Sequence, residues 1–296
     1  MSKSKTVWLA LLTMLLWGSL FPMVKLGFKS YSVEGVADIL LFAGIRFTIC
    51  GAVICLFSAI KDKKSYAPVK SYIVPILLSG LFAIVLHYAF TYMGLGTTDS
   101  SKTALLKQIG ALIYVCISFV FIKEDRPTLQ KIVGALVGFV GIIALNFSGN
   151  GFSLAIGDVF ILGASFCTVV SSVISKNVVS RVAPINVTGI SQLFGGIVLL
   201  IAGAVMGGEV KFAFDASIIV MVYICIASIT SYCIWYEILK KGELSKLFII
   251  KFAEPVFACV FGALILGEDI LKIQYLVAFI LISGGICISN FVKKKD

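Results

Sequence analysis

The sequence predicts an all-α polytopic membrane protein with ten transmembrane helices arranged as a five-plus-five inverted repeat. Three observations support this fold class: a very apolar composition, ten apolar segments of membrane-spanning length, and a second half that repeats the first. Of the 296 residues, 59% are hydrophobic and 14% are charged, and the mean hydropathy is +1.06. A composition this apolar lies well outside the range of soluble domains.

Ten apolar segments follow one another along the chain with short polar breaks between them, and a spanning helix needs about 20 apolar residues. No small-residue cleavage site follows the first segment, so we expect a first membrane helix and not a removable signal. The predicted spans are 6–27, 35–60, 71–93, 103–122, 129–148, 153–176, 185–207, 215–239, 245–266 and 270–291.

The formal net charge of +10 comes from short basic clusters between the apolar segments. This distribution is typical of topology signals and not of a nucleic-acid surface. With the N-terminus in the cytoplasm, 17 of the 25 Lys and Arg residues fall on the cytoplasmic side, 5 fall outside and 3 lie within spans. The positive-inside rule therefore predicts that both termini are cytoplasmic. The expected location is the cell membrane, that is, the inner or cytoplasmic membrane.

An internal duplication organises the chain. Residues 88–147 align with residues 232–291 at a constant offset of 144 without a gap, and 14 of the 60 positions are identical. Two merely oily segments would seldom share so many polar and charged residues, so we interpret the match as a repeat. The identical pairs are Tyr88/Tyr232, Tyr92/Tyr236, Leu95/Leu239, Ser101/Ser245, Lys102/Lys246, Lys107/Lys251, Glu124/Glu268, Asp125/Asp269, Gln130/Gln274, Val133/Val277, Gly141/Gly285, Ile142/Ile286, Asn146/Asn290 and Phe147/Phe291.

The duplication predicts two five-helix units, residues 1–148 and residues 149–296. Because five is an odd number, the second unit must enter the membrane upside down relative to the first. Inverted repeats of this kind are typical of secondary transporters, whose substrate site lies near the middle of the bilayer where the two halves meet.

Three segments carry a resemblance to a known family: LLWGSLFPMVK (15–25) in the first span, Arg46-Phe47 in the second and AEPVFACVFGALILGE (253–268) in the ninth. With the ten spans and the repeat, the chain resembles the EamA-type transporters of the drug/metabolite transporter superfamily over nearly its whole length. In the first-half counterpart of the ninth-span segment, Ala111 stands where that family often has proline. The resemblance implies transport of small metabolites or drugs through a central cavity lined mainly by spans 1, 3, 4, 6, 8 and 9.

Lys107 and Lys251 occupy equivalent repeat positions inside spans four and nine, and Glu254 follows Lys251 by three residues on the same helical face. A lysine at the bilayer centre costs about 2.5–3.5 kcal/mol, and intramembrane ionisable groups commonly mark a transport pathway. We therefore expect both lysines to bind substrate, and Glu254 to act as a coupling or counter-charge group. Two alternatives stay open: the lysines snorkel to the nearer interface, or Glu254 forms a structural ion pair with Lys251 or Lys107.

Arg46 in the second span and His87 in the third are the remaining ionisable candidates. The Arg46 guanidinium could clamp a substrate carboxylate, or it could tie its helix to backbone carbonyls. His87, the one histidine of the chain, could relay protons and is the second coupling candidate. Packing is the alternative role for His87.

Aromatic residues recur at helical spacing in spans one, three and eight. Such residues often only pack or mark the membrane interface. Two of the tyrosine pairs recur through the repeat, however, so a role in the cavity wall is as well supported as a role in packing. They are counted as candidate substrate-binding residues. The six are Trp17, Tyr88, Tyr92, Tyr232, Trp235 and Tyr236.

No motif in the sequence points to an enzyme or to a cofactor. There is no Walker A loop and no recognisable hydrolytic motif. The eight cysteines form no C-x-x-C pair and lie within apolar segments, so we expect them to be buried hydrophobic residues. We expect no catalytic residues, no metal and no cofactor.

The leading hypothesis is a secondary transporter that moves a small polar or amphipathic metabolite by alternating access. Its substrate would be amino-acid-like, nucleobase-like or otherwise anionic or zwitterionic. The alternative is an exporter of cationic drugs or quaternary-amine-like compounds that uses Glu254. A membrane enzyme, a lipid-handling protein and a non-transporting sensor are the rivals from other classes. The expected partners are the substrate and the lipid bilayer, with proton or ion coupling and a homodimer both allowed, and no nucleic acid.

Overall fold

A computed structural model describes residues 3–110, 112–114, 128–145, 147–148, 151–152, 154–211, 217–241, 250–251 and 253–290. Helices make up this part of the chain almost entirely, as the sequence predicts. The exception is a small antiparallel hairpin of β1 (Phe147–Ser148) and β2 (Gly151–Phe152). The fifth predicted span, 129–148, overlaps this hairpin at its end, and its described helix runs from Leu129 to Leu145.

Eleven α-helices follow in order along the described residues. They are α1 (Lys3–Ser30), α2 (Val36–Lys61), α3 (Val69–Gly80), α4 (His87–Thr97), α5 (Ser100–Lys107), α6 (Leu129–Leu145), α7 (Ile156–Val179), α8 (Pro184–Val205), α9 (Ser217–Lys241), α10 (Ala253–Leu266) and α11 (Ile273–Asn290). A 3-10 helix at Lys63–Tyr66 follows α2. A π-helical turn at Leu81–Leu86 joins α3 to α4, so these two helices form one continuous rod.

Six of these helical segments are long and apolar enough to cross a membrane, and three shorter apolar helices accompany them. The six are Thr6–Ser30, Val36–Lys61, Val69–Thr97, Ile156–Val179, Pro184–Val205 and Ser217–Lys240; the shorter ones are Ile132–Leu145, Ala253–Leu266 and Ile273–Gly285. The protein is thus a multi-pass helical membrane protein. The predicted fourth and ninth spans fall partly on residues 111, 115–127, 242–249 and 252, which lie outside the described residues.

The two ends of α8 show how local sequence sets a span. Pro184 occupies the first turn, where a missing N–H costs nothing. At the other end, Gly207 has φ 77°, the left-handed conformation that glycine adopts without a steric penalty. The Gly208 N–H returns to the Gly203 carbonyl at 2.9 Å and closes the helix. These signals explain why the predicted span 185–207 lies close to the observed helix.

The helices pack in pairs around a central space: α1 against α9 and α10, α2 against α8, α4 against α7, and α6 against α11. Glycine makes the α2–α8 contact close. A Cβ atom on Gly51 would lie 2.2 Å from the Leu193 backbone nitrogen, so a larger residue would force the helices apart. One large apolar cluster joins α1, α2, α4 and α9, and a second joins α5, α6 and α11.

Candidate functional site

A cavity of about 70 Å³ lies between α1, α2, α4, α5, α7, α9 and the start of α10. Its wall contains every residue that the sequence indicates as a candidate for substrate binding or coupling. These residues are Trp17, Arg46, His87, Tyr88, Tyr92, Lys107, Tyr232, Trp235, Tyr236, Lys251 and Glu254. The structure brings them together from six segments of the chain, and their roles in binding and coupling stay predictions.

Both cavity lysines lie where a helix is interrupted. α5 ends at Lys107, and the following Gln108 is in a turn, with its N–H 3.1 Å from the Leu105 carbonyl. Lys251 is also in a turn, and α10 begins at Ala253. The predicted fourth span, 103–122, therefore contains a turn at Gln108 that the sequence does not indicate. Discontinuous helices frame the substrate sites of many transporters, because their free backbone ends can bind solutes within the membrane.

Pro255 accounts for the geometry beside Lys251. Because proline has no N–H, it cannot donate to the carbonyl four residues earlier, which is that of Lys251. The sequence predicts that this carbonyl is freed. Instead the Glu254 N–H donates to it at 3.0 Å, in a tighter turn. The backbone is satisfied locally, and the Glu254 side chain is held in the first turn of α10.

The Lys107 side chain contacts groups on three other helices. Its Nζ lies 3.9 Å from Glu254 Oε1 on α10 and 3.5 Å from His87 Nε2 on α4. The ammonium group also lies 4.9 Å from the centre of the Phe21 ring on α1. Side-chain exposure is 13% for Lys107 and 3% for Glu254. This ion pair joins the two halves of the sequence. Of the two lysines that the sequence allows as partners of Glu254, the structure pairs it with Lys107.

The Lys251 ammonium lies against two tryptophans. Its Nζ is 5.4 Å from the Trp17 ring centre and 5.6 Å from that of Trp235, within the range of cation–π attraction. The two indoles pack on each other with centres 5.1 Å apart. Trp17 therefore connects α1 to α9 and to the cationic group at the start of α10.

His87 is oriented by hydrogen-bond contacts at both of its ring nitrogens. Nδ1 lies 3.0 Å from the Ala164 carbonyl, which can only accept, so Nδ1 carries the proton. Thr168 Oγ1 lies 2.9 Å from the same nitrogen. In the neutral ring, Nε2 is then an acceptor, and Lys107 Nζ is placed to donate to it. His87 thus helps hold Lys107 and also has the geometry to receive a proton from it.

Arg46 is fully buried on α2. Its Nε donates to Ser228 Oγ on α9 at 3.1 Å, and Nη2 donates to the same oxygen. The guanidinium lies 4.6 Å from the Phe47 ring centre and 5.4 Å from that of Tyr88. Its Nη1 has no hydrogen-bond partner among the described residues. Arg46 therefore ties α2 to a side chain of α9 and not to backbone carbonyls, and keeps one donor uncommitted.

The candidate tyrosines meet across the repeat. The Tyr232 hydroxyl donates to the Tyr88 hydroxyl at 2.9 Å, and these residues occupy equivalent positions of the two halves. Tyr88 also packs edge-to-face on Tyr92, with ring centres 5.4 Å apart. The Tyr236 hydroxyl accepts from Ser175 Oγ at 3.3 Å. The two halves therefore contact each other through paired aromatic side chains at the cavity.

The sequence reasoning missed the hydroxyl residues of α7 that line the cavity. Thr168, Ser171, Ser172 and Ser175 follow one another at helical spacing and lie on one face. That spacing is visible in the sequence, but serine and threonine also occur in membrane helices with no role beyond bonding their own backbone. The other unpredicted lining residues are Leu20, Phe21, Val24, Ala83, Thr91, Leu95 and Leu239.

The charges of the cavity wall do not balance. Arg46, Lys107 and Lys251 are basic, and Glu254 is the one acidic residue among the lining residues. The described part of the chain contains no group of three or more His, Cys, Asp or Glu residues arranged to hold a metal ion. The site offers hydrogen-bond donors, cationic groups and aromatic faces to a solute.

Comparisons with known proteins identify the family to which the chain is similar. The sequence model of the EamA-like transporter family matches the chain twice, over residues 4–147 and 155–290. "Uncharacterized transporter YvbV" of Bacillus subtilis (strain 168) is 25% identical over 295 residues, which cover 99% of this chain and 93% of that protein. "Uncharacterized inner membrane transporter YedA" of Escherichia coli (strain K12) is 23% identical over 277 residues, 93% of this chain and 87% of that protein.

A crystal structure of another protein has the same fold. It superposes with a TM-score of 0.68 and 21% sequence identity, and the match covers 98% of this chain and 97% of the other. The two family matches together span nearly all of the sequence and include the residues that line the cavity. The chain therefore belongs to the EamA-like transporter family.

Proposed function

We propose that this protein is a secondary transporter that moves a small anionic or zwitterionic metabolite across the cell membrane by alternating access. The observation that supports this proposal is the excess of positive charge in the cavity: three basic side chains face one carboxylate. A solute with an acidic group would offset that excess. Burying such a solute without a basic partner would cost several kcal/mol.

The frame of the proposed mechanism is a pair of inverted halves, residues 1–148 and 149–296, each with five spans and with both termini in the cytoplasm. Three features support it. The family model matches each half separately, Lys107 and Lys251 both lie at helix breaks, and the equivalent tyrosines Tyr88 and Tyr232 are hydrogen-bonded to each other. Rocking of one half against the other would open the cavity to each side in turn.

The cavity has room for a small solute or for several waters. A buried water needs about 10–15 Å³ measured in the same way, so a volume of about 70 Å³ holds roughly five to seven waters. Alternating access would require the surrounding helices to move, so that this space opens to each side of the membrane in turn.

The Lys107–Glu254 pair is the proposed coupling element. At 3.9 Å its partners attract each other without a close hydrogen bond. A substrate carboxylate would compete with Glu254 for Lys107. Glu254 would then bind the substrate's positive group or take up a proton, and His87 Nε2 lies 3.5 Å from Lys107 to receive one. The charge of the site would thus depend on whether a substrate is bound.

Uptake into liposomes tests the proposal. The purified protein would be reconstituted, and uptake of amino acids, nucleobases and organic cations would be compared with that of Lys107→Ala and Lys251→Ala. We expect uptake of acidic or zwitterionic solutes by the wild-type protein and its loss in both variants. Unchanged uptake in both variants would exclude the lysines from the mechanism.

Export of cationic compounds is the second candidate function, and a different observation favours it. Trp17, Trp235 and Tyr232 form an aromatic cluster in the cavity wall, with Trp17–Trp235 and Trp17–Tyr232 ring centres 5.1 and 5.6 Å apart. Aromatic faces of this kind bind quaternary ammonium groups. In that case Glu254→Gln would abolish transport of the cation, and lysine removal would leave it unchanged. The same liposome panel separates the two functions.

A further inference from the structure

We infer that Ser171 and Ser172 on α7 form a hydrogen-bond acceptor site that recognises an N–H group of the substrate, either a primary ammonium or an amide. The substrate class is then narrower than an anionic or zwitterionic solute. It is a solute that carries an N–H donor at one end and an acidic group at the other. This inference deepens the proposed function and rests on it.

Ser171 and Ser172 belong to the hydroxyl face of α7 that lines the cavity. Both are about 94% buried, and both lie among the lining residues together with the cationic groups. They follow Thr168 by three and four residues, so they point from the same side of the helix. They are therefore placed to contact any solute that occupies the cavity.

The direction of their hydrogen bonds makes them acceptors. A serine hydroxyl has one proton to donate and two lone pairs. Ser171 Oγ donates to the Thr168 carbonyl at 3.0 Å, and Ser172 Oγ donates to the same carbonyl at 2.6 Å. Because both protons are used on the backbone, the oxygens present lone pairs to the cavity. A solute must bring N–H or O–H groups to bond with them.

The wall also contains groups of the opposite character. The buried donors Arg46 Nη1 and Trp17 Nε1 line the cavity and have no hydrogen-bond partner among the residues that the structure describes. These two donors require acceptors, such as carboxylate oxygens. A purely anionic solute would satisfy them and leave the serine acceptors unmatched, and a purely cationic solute would do the reverse. A solute with both kinds of group satisfies the two donors and the serines together, and it binds more tightly because a buried polar group left unpaired costs affinity.

Three small probes test the inference by equilibrium binding to the purified full-length protein, measured as thermal stabilisation over a concentration series. Leucine carries both groups, isocaproate is leucine without its amino group, and isoamylamine is leucine without its carboxylate. We expect the wild-type protein to bind leucine more tightly than either analogue. In Ser171→Ala/Ser172→Ala, affinity for leucine should fall roughly ten-fold, as expected for loss of a charge-assisted hydrogen bond, while affinity for isocaproate stays the same.

Two further sets of variants guard against a folding effect. Thr188→Ala removes a buried hydroxyl of α8 that also donates to its own helix, to the Pro184 carbonyl at 2.9 Å, but lies outside the cavity. It should leave the preference for leucine unchanged. The single variants Ser171→Ala and Ser172→Ala allow the measurement if the double variant does not fold, and each should lower the preference in part.

The outcomes separate this inference from the function on which it rests. If serine removal leaves the full preference for leucine over isocaproate, or if wild-type protein binds the two equally well, the serine site is refuted and the proposed function stands. If none of the three probes binds the wild-type protein, the inference is refuted, and the liposome panel decides the proposed function separately.

Discussion

Lys107 and Glu254 approach each other from different halves of the sequence, with their charged atoms 3.9 Å apart in a nearly buried site. Removing one member of such a pair leaves the other charge without compensation, which costs more than the pair itself contributes. Here the imbalance is larger, since Lys251 and Arg46 line the same cavity. Glu254 thus reduces the repulsion within the site as well as pairing with Lys107.

A double-mutant cycle tests this interaction. We expect Glu254→Gln and Lys107→Met each to destabilise the protein, and the double variant to lose less than the sum of the two. The coupling free energy should be about 0.5–3 kcal/mol, the range for residues in direct contact. Reversible unfolding in detergent provides the measurement. Strictly additive losses would show that the two side chains do not stabilise each other.

Arg46 combines a structural contact with an uncommitted donor, and two variants separate these roles. Arg46→Lys loses both bonds to Ser228 and the stacking on Phe47, because an ammonium is not planar. We expect it to lower stability by about 1–3 kcal/mol and also to weaken binding of acidic solutes. Ser228→Ala, the matched control, keeps the guanidinium and should lower stability alone. Equal loss of solute binding in both variants would assign Arg46 a purely structural role.

At the residue scale, the sequence predicts which side chains face the cavity better than it predicts their partners. Charged residues are conspicuous in an apolar chain, because a charge within the membrane is costly and therefore rare. The aromatic residues are conspicuous because they recur in the repeat. Whether Glu254 pairs with Lys107 or Lys251 depends on how α5 and α10 meet, which no spacing along the chain specifies. Ser171 and Ser172 are missed for a different reason: their hydroxyls satisfy the local backbone, as do serines that have no other role.

At the scale of helices, Glu268 joins the end of α10 to the start of α5. Its carboxylate accepts from the Ser100 N–H at 2.8 Å, from the Ser101 N–H at 3.0 Å and from Ser101 Oγ at 2.6 Å. Lys25 Nζ lies 3.8 Å away. A carboxylate at a helix N-terminus bonds otherwise unpaired N–H groups and interacts favourably with the helix dipole.

Glu268→Gln should weaken this junction. The amide has the same shape, but it lacks the negative charge and can present only one acceptor to the two backbone donors. We expect a loss of about 1.5–3 kcal/mol, the contribution of hydrogen bonds to a charged group, measured by unfolding in detergent. Asp269→Asn is the control, because the neighbouring Asp269 carboxylate is exposed and, within the described part of the chain, accepts a hydrogen bond only from the Leu271 N–H. An effect no larger than that of the control would contradict the proposed junction.

Gly18, within the LLWGSLFPMVK segment, lies where α1 packs closely against α10. A Cβ atom at this position would lie 2.8 Å from the Glu254 carbonyl oxygen and 2.9 Å from the Ala258 nitrogen. Both are backbone atoms of α10, so they cannot rotate away. Glycine is therefore required for α1 to approach α10 next to the Lys107–Glu254 pair.

Gly18→Ala should push these helices apart at the site itself. We expect a loss of about 1–3 kcal/mol of stability, as for other overpacked positions, together with reduced solute uptake in liposomes. Gly284→Ala in α11 is the control, because its Cβ would meet no described atom within 4 Å. That variant should be neutral or more stable by about 0.5–1 kcal/mol. Wild-type uptake by Gly18→Ala would show that the close contact is not needed for function.

Prediction of helices from the sequence succeeds where the chain marks its own ends. Pro184 and Gly207 bracket α8 and are readable in advance. The break at Gln108 is not readable, since the segment 100–114 contains no proline and apolar residues flank Lys107 and Gln108 on both sides. The same holds for the π-helical turn at Leu81–Leu86. Such departures depend on packing against neighbouring helices, which hydropathy does not describe.

On the scale of the whole molecule, the two halves of the sequence share repeated residues but differ in charge. The repeat equivalents Tyr88 and Tyr232 meet in the cavity, and both lysines lie at helix interruptions. Glu254, however, is matched by Gly110 in the first half. Duplication supplies the enclosing frame, and one unmatched carboxylate makes the cavity asymmetric. An asymmetric site suits a solute with two different ends better than a symmetric ion.

The proposed inverted arrangement makes a labelling prediction that a parallel repeat does not. Val36 is the first residue of α2, and Ser180 lies four residues before α8. Asp62 and Met206 directly follow the ends of α2 and α8. All four residues are exposed. If the halves are inverted, the start of α2 and the start of α8 face opposite sides of the membrane. Single cysteines at these four positions, in a background without the native cysteines, report the side by their reaction with a membrane-impermeant maleimide in intact cells.

We expect Val36→Cys and Met206→Cys to react in intact cells, and Asp62→Cys and Ser180→Cys to react only after permeabilisation. The physical reason is the odd number of spans in each proposed half, together with the basic residues near Asp62 and Ser180, which favour the cytoplasm. Labelling after permeabilisation controls for reactivity at each position. Reaction of Val36→Cys and Ser180→Cys from the same side would mean that the halves run parallel. In that case Lys107 and Lys251 would not approach the cavity from opposite membrane faces, and a gate that rocks about one central site would lose its geometric basis.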